Sequence, residues 1–230
     1  MYDPALALVA IDENPAPILG CLVVTAVFAF LYFFAAIRIA IRQQVYVVPF
    51  VASALFFWHD LTFVLMYEHW FHHYNHWWVK LWWFALCGTV PLEAFMIWQV
   101  IRYGHQELWP RLSPAAFRTA VIAATLGIGA LWWVIKVALN DDLFFLTFAI
   151  TAVFAVPFHT AIMSRRQSRA GQSIFMEASV IVMIVSMSAA FMQAAPAFRA
   201  PPYLAFLAVF ILWPLFNIWL INRYPRLPGN

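Results

Sequence analysis

Residues 58–80 read WHDLTFVLMYEHWFHHYNHWWVK, and this stretch holds five of the seven histidines of the chain together with two acids. Four of the histidines, His69, His72, His73 and His76, recur at the spacing i, i+3, i+4 and i+7. On an α-helix that spacing places the four side chains on one face. We therefore expect a helical extension of the preceding apolar run, with a histidine face at the outer membrane surface.

Apolar residues dominate on both sides of this stretch. The 230-residue chain is 65% hydrophobic and 19% aromatic, and only 10% of its residues are charged, whereas a soluble domain carries about 25%. The sequence therefore predicts an integral protein of the bacterial inner (plasma) membrane. Its expected partners are the lipid bilayer and a lipophilic small molecule, not nucleic acid, and its oligomeric state stays open. No basic segment precedes the first apolar run, so no cleavable signal peptide is expected.

Seven apolar runs are long enough to cross a bilayer, which takes about 20 residues. They lie near residues 17–41, 45–67, 81–103, 115–139, 143–164, 174–195 and 203–222. The connections between them are short, so no soluble domain is inserted. The predicted fold is an all-α bundle of seven transmembrane helices that forms a single domain over residues 1–230.

The arginines predict the orientation of this bundle. Ten of them follow the odd-numbered spans or precede the even-numbered ones: Arg38, Arg42, Arg102, Arg111, Arg118, Arg165, Arg166, Arg169, Arg223 and Arg226. The other side has only Lys80, Lys136 and Arg199. Because positive residues accumulate in cytoplasmic loops, we expect the N-terminus outside and the C-terminus in the cytoplasm.

Ionisable side chains at membrane depth are costly and usually mark function. The candidates are His59, Asp60, Glu93, His159 and Glu177. Glu93 is the deepest acid, and burial without a cation favours its neutral form, which can donate a proton. Structural alternatives stay open: Glu93 can simply hydrogen-bond between helices, and Glu177 is close enough in sequence to Arg165 and Arg166 to form an ion pair.

The histidine segment also raises the question of a metal. His69-x-x-His72-His73 resembles one histidine box of the membrane di-iron desaturases and hydroxylases, which have several such boxes. This chain has one, so we predict no di-iron centre and no cofactor. A single zinc, copper or haem iron held by some of His69, His72, His73 and His76 stays open. The competing interpretation is an interfacial belt of histidines and tryptophans.

Two segments together resemble the transmembrane terpene cyclases, a family of small seven-span enzymes that close meroterpenoid rings. Residues 47–67, VVPFVASALFFWHDLTFVLMY, carry the proline and tryptophan of its second span at Pro49 and Trp58. Residues 91–109, PLEAFMIWQVIRYGHQELW, carry an acid at Glu93 and an Arg-aromatic-Gly-x-x-Glu exit that ends at Glu107. The length and number of spans agree over the whole chain, whereas the motifs cover only these two spans.

Two positions depart from that family. Its second-span glutamate falls on His59, with Asp60 one residue later, and its seventh-span aspartate falls on Asn217. Consecutive residues on a helix point about 100° apart, so Asp60 does not simply replace the family's acid. The resemblance therefore implies a relative with altered chemistry.

We expect an intramembrane enzyme of the isomerase or lyase type that cyclises or isomerises a terpenoid-like substrate by protonating it. Glu93 is the first candidate acid, Asp60 the second, and His59 the group that positions or reprotonates them. Trp58 and Trp98 are candidate aromatic faces for cationic intermediates, and Asn217 is a further substrate-binding candidate. The alternatives are a small proton- or metal-coupled transporter or sensor, and a single-metal or haem membrane oxidoreductase that uses the histidine cluster.

Overall fold

The computed structural model describes residues 2–226, and throughout this part of the chain the secondary structure is helical, with no strand. The α-helices are α1 (Pro4–Glu13), α2 (Pro15–Gln43), α3 (Phe50–Leu65), α4 (Trp77–Tyr103), α5 (His105–Leu108), α6 (Pro114–Leu139), α7 (Phe145–Arg166), α8 (Ile174–Ala194) and α9 (Pro201–Arg223). A π-helix covers His69–Tyr74, and a 3₁₀-helix covers Pro196–Arg199. The all-α prediction is confirmed.

Six of these helices are long and apolar enough to span a membrane, namely α2, α4, α6, α7, α8 and α9. Each of them covers one predicted span to within four residues at either end. The remaining predicted span, 45–67, contains α3, which has only 16 residues and is therefore about 24 Å long at 1.5 Å per residue. It begins after Pro49, which we had placed inside a span and which instead occupies the N-cap position of α3.

Helix α3 lies in the interior of the bundle. It packs against α4, α6 and α7, while α2 packs mainly against α8, and α8 also packs against α9. Both polar residues near the end of α3, His59 and Asp60, are buried. Because protein surrounds α3 on several sides, two consecutive residues that point in different directions both face the core.

The helix α1 is a feature that hydropathy did not predict. Its N-terminus is capped by Asp3, whose carboxylate accepts a hydrogen bond from the backbone N–H of Leu6 at 3.1 Å, and Pro4 occupies the first turn, where no N–H donor is needed. Its buried residues are Ala7, Leu8 and Ile11, and the helix packs against α8. Its ten residues are too few to span the bilayer, so it covers one end of the bundle.

The histidine segment differs from the predicted α-helical extension. Helix α3 ends at Leu65, residues 69–74 form a π-helix, and Asn75 adopts a left-handed conformation with φ +46°. His76 then has an extended backbone and caps α4, because its ring nitrogen accepts the backbone N–H of Trp78 at 3.2 Å. The i, i+5 geometry of the π-helix and the break at Asn75 distribute the four histidines over different directions.

Candidate functional site

A cavity of about 80 Å³ lies in the interior between α2, α3, α4, α7 and α8. Its wall is mainly apolar and includes Phe33, Phe56 and Met183. The polar side chains in the wall are Thr25, Tyr32, His59, Asp60, Thr89, Glu93 and Thr151. The cavity thus brings together Glu93, Asp60 and His59, the three residues predicted to carry the chemistry.

The carboxylate of Asp60 is the centre of the polar group. Its Oδ1 lies 2.6 Å from Nδ1 of His59, and its Oδ2 accepts a hydrogen bond from the hydroxyl of Thr89. Glu93 lines the same cavity as Asp60. Asp60 and Glu93 are only 5% and 3% exposed, so both carboxyl groups are shielded from water.

An aromatic cage surrounds His59, which is 1% exposed. Its imidazole meets Trp132 and Phe144 edge to face at centroid distances of 5.2 and 5.6 Å, and Phe148 lies at 5.5 Å. Such rings stabilise an adjacent cation through their π faces and leave no hydrogen-bond partner for the outer ring nitrogen. The cage therefore fixes the ring in the orientation that presents Nδ1 to Asp60.

Two buried polar atoms in the cavity wall have no hydrogen-bond partner within residues 2–226: Nε2 of His59 and Oε2 of Glu93. An unpartnered buried polar atom costs about 1–3 kcal/mol, and such atoms in a native protein commonly mark a catalytic role or a bound group. One is a nitrogen that can accept a proton, and the other belongs to a carboxyl that can donate one. Both atoms are enclosed by protein, so a ligand reaches them only when neighbouring side chains move.

A second buried polar group adjoins the cavity through Tyr32. The Tyr32 hydroxyl lies 3.1 Å from Nε2 of His159, and Nδ1 of His159 lies 2.8 Å from Oε1 of Glu177. Glu177 also accepts a hydrogen bond of 3.2 Å from the side-chain amide of Asn217. Glu177 therefore pairs with His159 and not with the nearby arginines. This tyrosine–histidine–carboxylate series has the same connectivity as a hydroxyl, base and orienting acid in hydrolases.

The three predicted substrate-binding residues lie outside the cavity lining. The Trp58 ring packs against Gly129 of α6, where an added Cβ would lie 2.3 Å from it, and its indole N–H donates to the carbonyl of Thr125 at 2.7 Å. Trp98 is 44% exposed on the bundle surface. Asn217 is fully buried beside Glu177 and donates to the Val156 carbonyl at 3.0 Å.

The four histidines of residues 69–76 bind different partners. His69 lies 3.2 Å from Asp142, and His72 makes an exposed 3.5 Å contact with Glu68. His73 stacks on His69 at a centroid distance of 5.1 Å. Within residues 2–226 there is no group of three or more His, Cys, Asp or Glu side chains that could hold a metal ion.

The last histidine, His76, connects α4 to α1. Its Nε2 lies 3.1 Å from Oδ1 of Asp12, which also accepts the indole N–H of Trp77 at 2.7 Å. The hydrogen bond from Trp77, together with that from His76, lowers the pKa of Asp12. Both ring nitrogens of His76 are thus occupied by protein groups, and the segment connects helices at this end of the bundle.

Glu107, the last residue of the family-like exit motif, has a structural role in this chain. It accepts hydrogen bonds from the Tyr46 hydroxyl at 2.7 Å and from two nitrogens of Arg166 at 2.8 and 3.0 Å. Burial, with the hydrogen bond to Glu107, raises the pKa of Tyr46. These bonds connect the α2–α3 link, α5 and the end of α7, and they lie far along α4 from the cavity.

The cavity is small for an organic ligand. A single water molecule needs about 10–15 Å³, whereas pockets for larger organic ligands usually measure about 300–1,000 Å³, so a terpenoid requires the wall to open. The helices α2 and α4 contact each other sparingly, and we call the boundary between them the α2–α4 seam. The half-buried Ala26, Ala29 and Ala85 line the cavity at this seam. Phe30 of α2 covers the seam, because a Cβ added to Gly88 of α4 would lie 3.4 Å from the ring of Phe30.

The sequence reasoning missed Thr89 and Tyr32. Thr89 precedes Glu93 by four residues on α4 and therefore shares its face, so helical spacing could have found it. Tyr32 carries a single hydroxyl within a long apolar run, and only its contact with His159 distinguishes it from an ordinary packing residue.

Comparisons of the chain with protein-family models, with curated proteins and with solved structures gave no match.

Proposed function

We propose that this protein is an intramembrane enzyme that cyclises or isomerises an oxygen-bearing, terpenoid-like lipid by transferring a proton to it. The observation that carries the proposal is the Asp60–Glu93 carboxyl pair, with His59, in the wall of an otherwise apolar cavity. An acid enclosed by apolar walls protonates weakly basic groups that water would otherwise shield. The resemblance of residues 47–67 and 91–109 to the transmembrane terpene cyclases supports the same chemistry.

The roles follow from the hydrogen bonds. Asp60 receives donors from His59 and Thr89, and donors stabilise the charged form of a carboxylate. In the proposed mechanism Asp60 acts as the anion, and Glu93 carries the proton that is transferred. In the first step, Glu93 transfers this proton to an epoxide oxygen, or to an alkene carbon, of the substrate. The resulting cation closes a ring when a neighbouring double bond supplies its electron pair.

The second step removes a proton from the cyclic cation. Tyr32 is in the cavity wall, and its oxygen accepts the proton while its own passes to Nε2 of His159. Glu177 neutralises the imidazolium, since it lies 2.8 Å from the other ring nitrogen. Glu93 regains a proton from water, and His159 releases one, after the product leaves. The substrate and product therefore have the same mass.

We further propose that α3 crosses the membrane as a seventh span, with the N-terminus outside and the C-terminus in the cytoplasm of a bacterial inner membrane. Helix α3 packs against α4, α6 and α7. Its length need not match the thickness of the hydrocarbon layer, because the flanking protein can satisfy the backbone hydrogen-bonding groups at its ends. With seven crossings, ten of the eleven arginines fall on one side and only Arg199 falls on the other, in keeping with the positive-inside rule.

Product analysis tests the function. Membranes that contain the protein are incubated with farnesylated and geranylgeranylated phenols, each with and without a terminal epoxide, and the extracts are separated by chromatography coupled to mass spectrometry. We expect a new compound of unchanged mass that depends on the protein. In D₂O, protonation of an alkene carbon adds one deuterium, whereas protonation of an epoxide oxygen adds none to carbon. Uptake of an unaltered compound into proteoliposomes, without any isomer, would support the transporter alternative instead.

A further inference from the structure

A second cavity, of about 440 Å³, lies at the arginine-rich end of the bundle, away from Asp60 and Glu93. It is formed by the end of α2, the α7–α8 connection, the start of α8 and the end of α9. Four guanidinium groups line it, from Arg38, Arg42, Arg169 and Arg226, and no acidic residue does. Such a concentration of uncompensated positive charge in one concave site calls for an anionic ligand.

The charges of these four arginines are not neutralised by carboxylates within residues 2–226. Among arginines of that part of the chain, the ion pairs are those of Arg165 and Arg166, which both contact Glu107. Glu177, the acid in the first turn of α8, is fully buried against His159. None of the four guanidiniums makes a side-chain hydrogen bond to a described residue either, so their donors are available to a ligand.

The backbone around this cavity is held in place. The N–H of Arg169 donates to the carbonyl of Pro225 at 3.1 Å, and the N–H of Gly171 donates to the side chain of Gln43 at 2.8 Å. Gly171 has φ +81°, which a side chain would strain. The connection between α7 and α8 is therefore tied to the ends of both α2 and α9, so the arginines project from a fixed frame.

The side chain of Gln172 indicates what else the ligand carries. It lines the cavity, is 5% exposed, and donates its amide N–H to the carbonyl of Val47 at 3.1 Å. Its Oε1 is buried and has no partner within the described residues, so it becomes an acceptor for a ligand hydroxyl when the side chain shifts towards the cavity. The 21-residue helix α8 begins at Ile174 beside it, and the partial positive charge of a helix N-terminus adds to the attraction for an anion.

We infer that this cavity binds a phosphate ester that also carries a hydroxyl group. Arginine binds phosphate oxygens through two parallel N–H donors, and the four guanidiniums surround room for one or two phosphate groups. The ligand is either the headgroup of an anionic lipid such as a phosphatidylglycerol or a soluble phosphate compound. This inference does not depend on the proposed enzymatic function, since the two cavities share no lining residue.

Ligand binding to the purified full-length protein tests this site. Native mass spectrometry in detergent compares the retention of phosphatidylglycerol with that of phosphatidylcholine, and calorimetry measures the binding of inorganic pyrophosphate and glycerol 1-phosphate. The variant carries Arg42→Gln and Arg169→Gln. A matched control carries Arg111→Gln and Arg223→Gln, which removes the same charge from exposed arginines outside this cavity. A second pair, Arg38→Gln with Arg226→Gln, removes the other two guanidiniums.

We expect each site pair to weaken binding at least tenfold, and the control pair to weaken it less than twofold. Retention of phosphatidylglycerol without binding of the soluble compounds identifies a lipid headgroup, and binding of the soluble compounds without selective lipid retention identifies a free phosphate. The proposal is overturned if neither class binds, or if the site pairs and the control pair weaken binding equally. Equal weakening by the site pairs and the control pair would mean that only the net charge attracts the anion.

Discussion

His59 and Asp60 are consecutive on α3, yet Nδ1 of the imidazole lies 2.6 Å from Oδ1 of the carboxylate. Consecutive helical residues do not normally face each other. The contact forms because α4 and α7 enclose this end of α3, so neither side chain can reach water. Both residues line the cavity that Glu93 also lines, and Nε2 of the histidine is buried without a partner within residues 2–226.

Replacement of the acids is the most direct test of the proposed chemistry. Glu93→Gln keeps the size of the side chain but cannot supply the transferred proton, so turnover should fall by roughly 10²–10⁴-fold, the usual contribution of a general acid. Asp60→Asn should cause a comparable loss, because the anion of the proposed mechanism is removed. Rates of isomer formation and thermal melting are measured on both variants. Glu68→Gln, at an exposed carboxyl, serves as the control, and full activity of Glu93→Gln would exclude Glu93 as the acid.

The hydroxyl of Tyr32 should determine how the reaction ends. Tyr32→Phe preserves the ring packing but removes the contact with His159. We expect roughly 10–100-fold slower formation of the deprotonated product, in keeping with the loss of a general base. A larger share of the product should then be captured by water, with a mass increase of one water molecule. Tyr103→Phe, outside the cavity lining, is the matched control. An unchanged product ratio in Tyr32→Phe would remove this residue from the mechanism.

The seam between α2 and α4 should control access of the substrate. Gly88→Leu places a bulky side chain against Phe30, where even a Cβ would lie 3.4 Å from the ring, and should wedge the seam in its closed form. We expect kcat/KM to fall about tenfold while the melting temperature changes little. Gly127→Leu adds the same side chain where no atom lies within 4 Å of an added Cβ. Equal activities of the two variants would argue against access through this seam.

Cysteine labelling tests the proposed topology. Glu68→Cys lies in the exposed segment between α3 and α4, and Gln106→Cys lies in the exposed part of α5. With the N-terminus outside and seven spans, a membrane-impermeant maleimide added to intact cells should label the first variant alone. Both variants should be labelled after permeabilisation, and the parent chain should show the background from its two half-buried cysteines. Labelling of the Gln106→Cys variant in intact cells would refute the orientation.

The contact of Tyr74 with Asp142 makes the end of the bundle around residues 69–76 sensitive to alkali. Burial, with the hydrogen bond to Asp142, raises the pKa of the Tyr74 hydroxyl above its value of about 10 in the unfolded chain. The stabilisation is therefore complete below about pH 10 and is lost as the pH rises above it. Tyr74→Phe should cost about 1 kcal/mol at pH 8.

Melting temperatures between pH 8 and 11.5 measure this effect. The Tyr74→Phe variant should lose less stability over that range than the parent chain, because one hydroxyl with a raised pKa is gone. Tyr67→Phe is the matched control, since its exposed hydroxyl makes no hydrogen bond within residues 2–226. Parallel alkaline curves for Tyr74→Phe and the parent would contradict the prediction.

The residues alone predict the long helices and the burial of the deepest acid. Runs of about 20 apolar residues can only be membrane-length helices, so the bounds of α2, α4, α6, α8 and α9 follow closely from hydropathy. A carboxyl in the middle of such a run must face protein, which correctly places Glu93 in the interior. These inferences depend on local composition, and local composition is fully present in the sequence.

Contacts between distant segments had to come from the tertiary structure. The four-residue spacing of the histidines predicts one helical face, but Asp12, Asp142 and Trp78 compete for their rings, and the chain adopts a π-helix and a turn instead. Likewise Glu177 has arginines nearby in sequence and pairs with His159, 18 residues away. Hydrogen bonding inside a low-dielectric bundle is strong enough to override local periodicity, and which groups meet depends on how the helices pack.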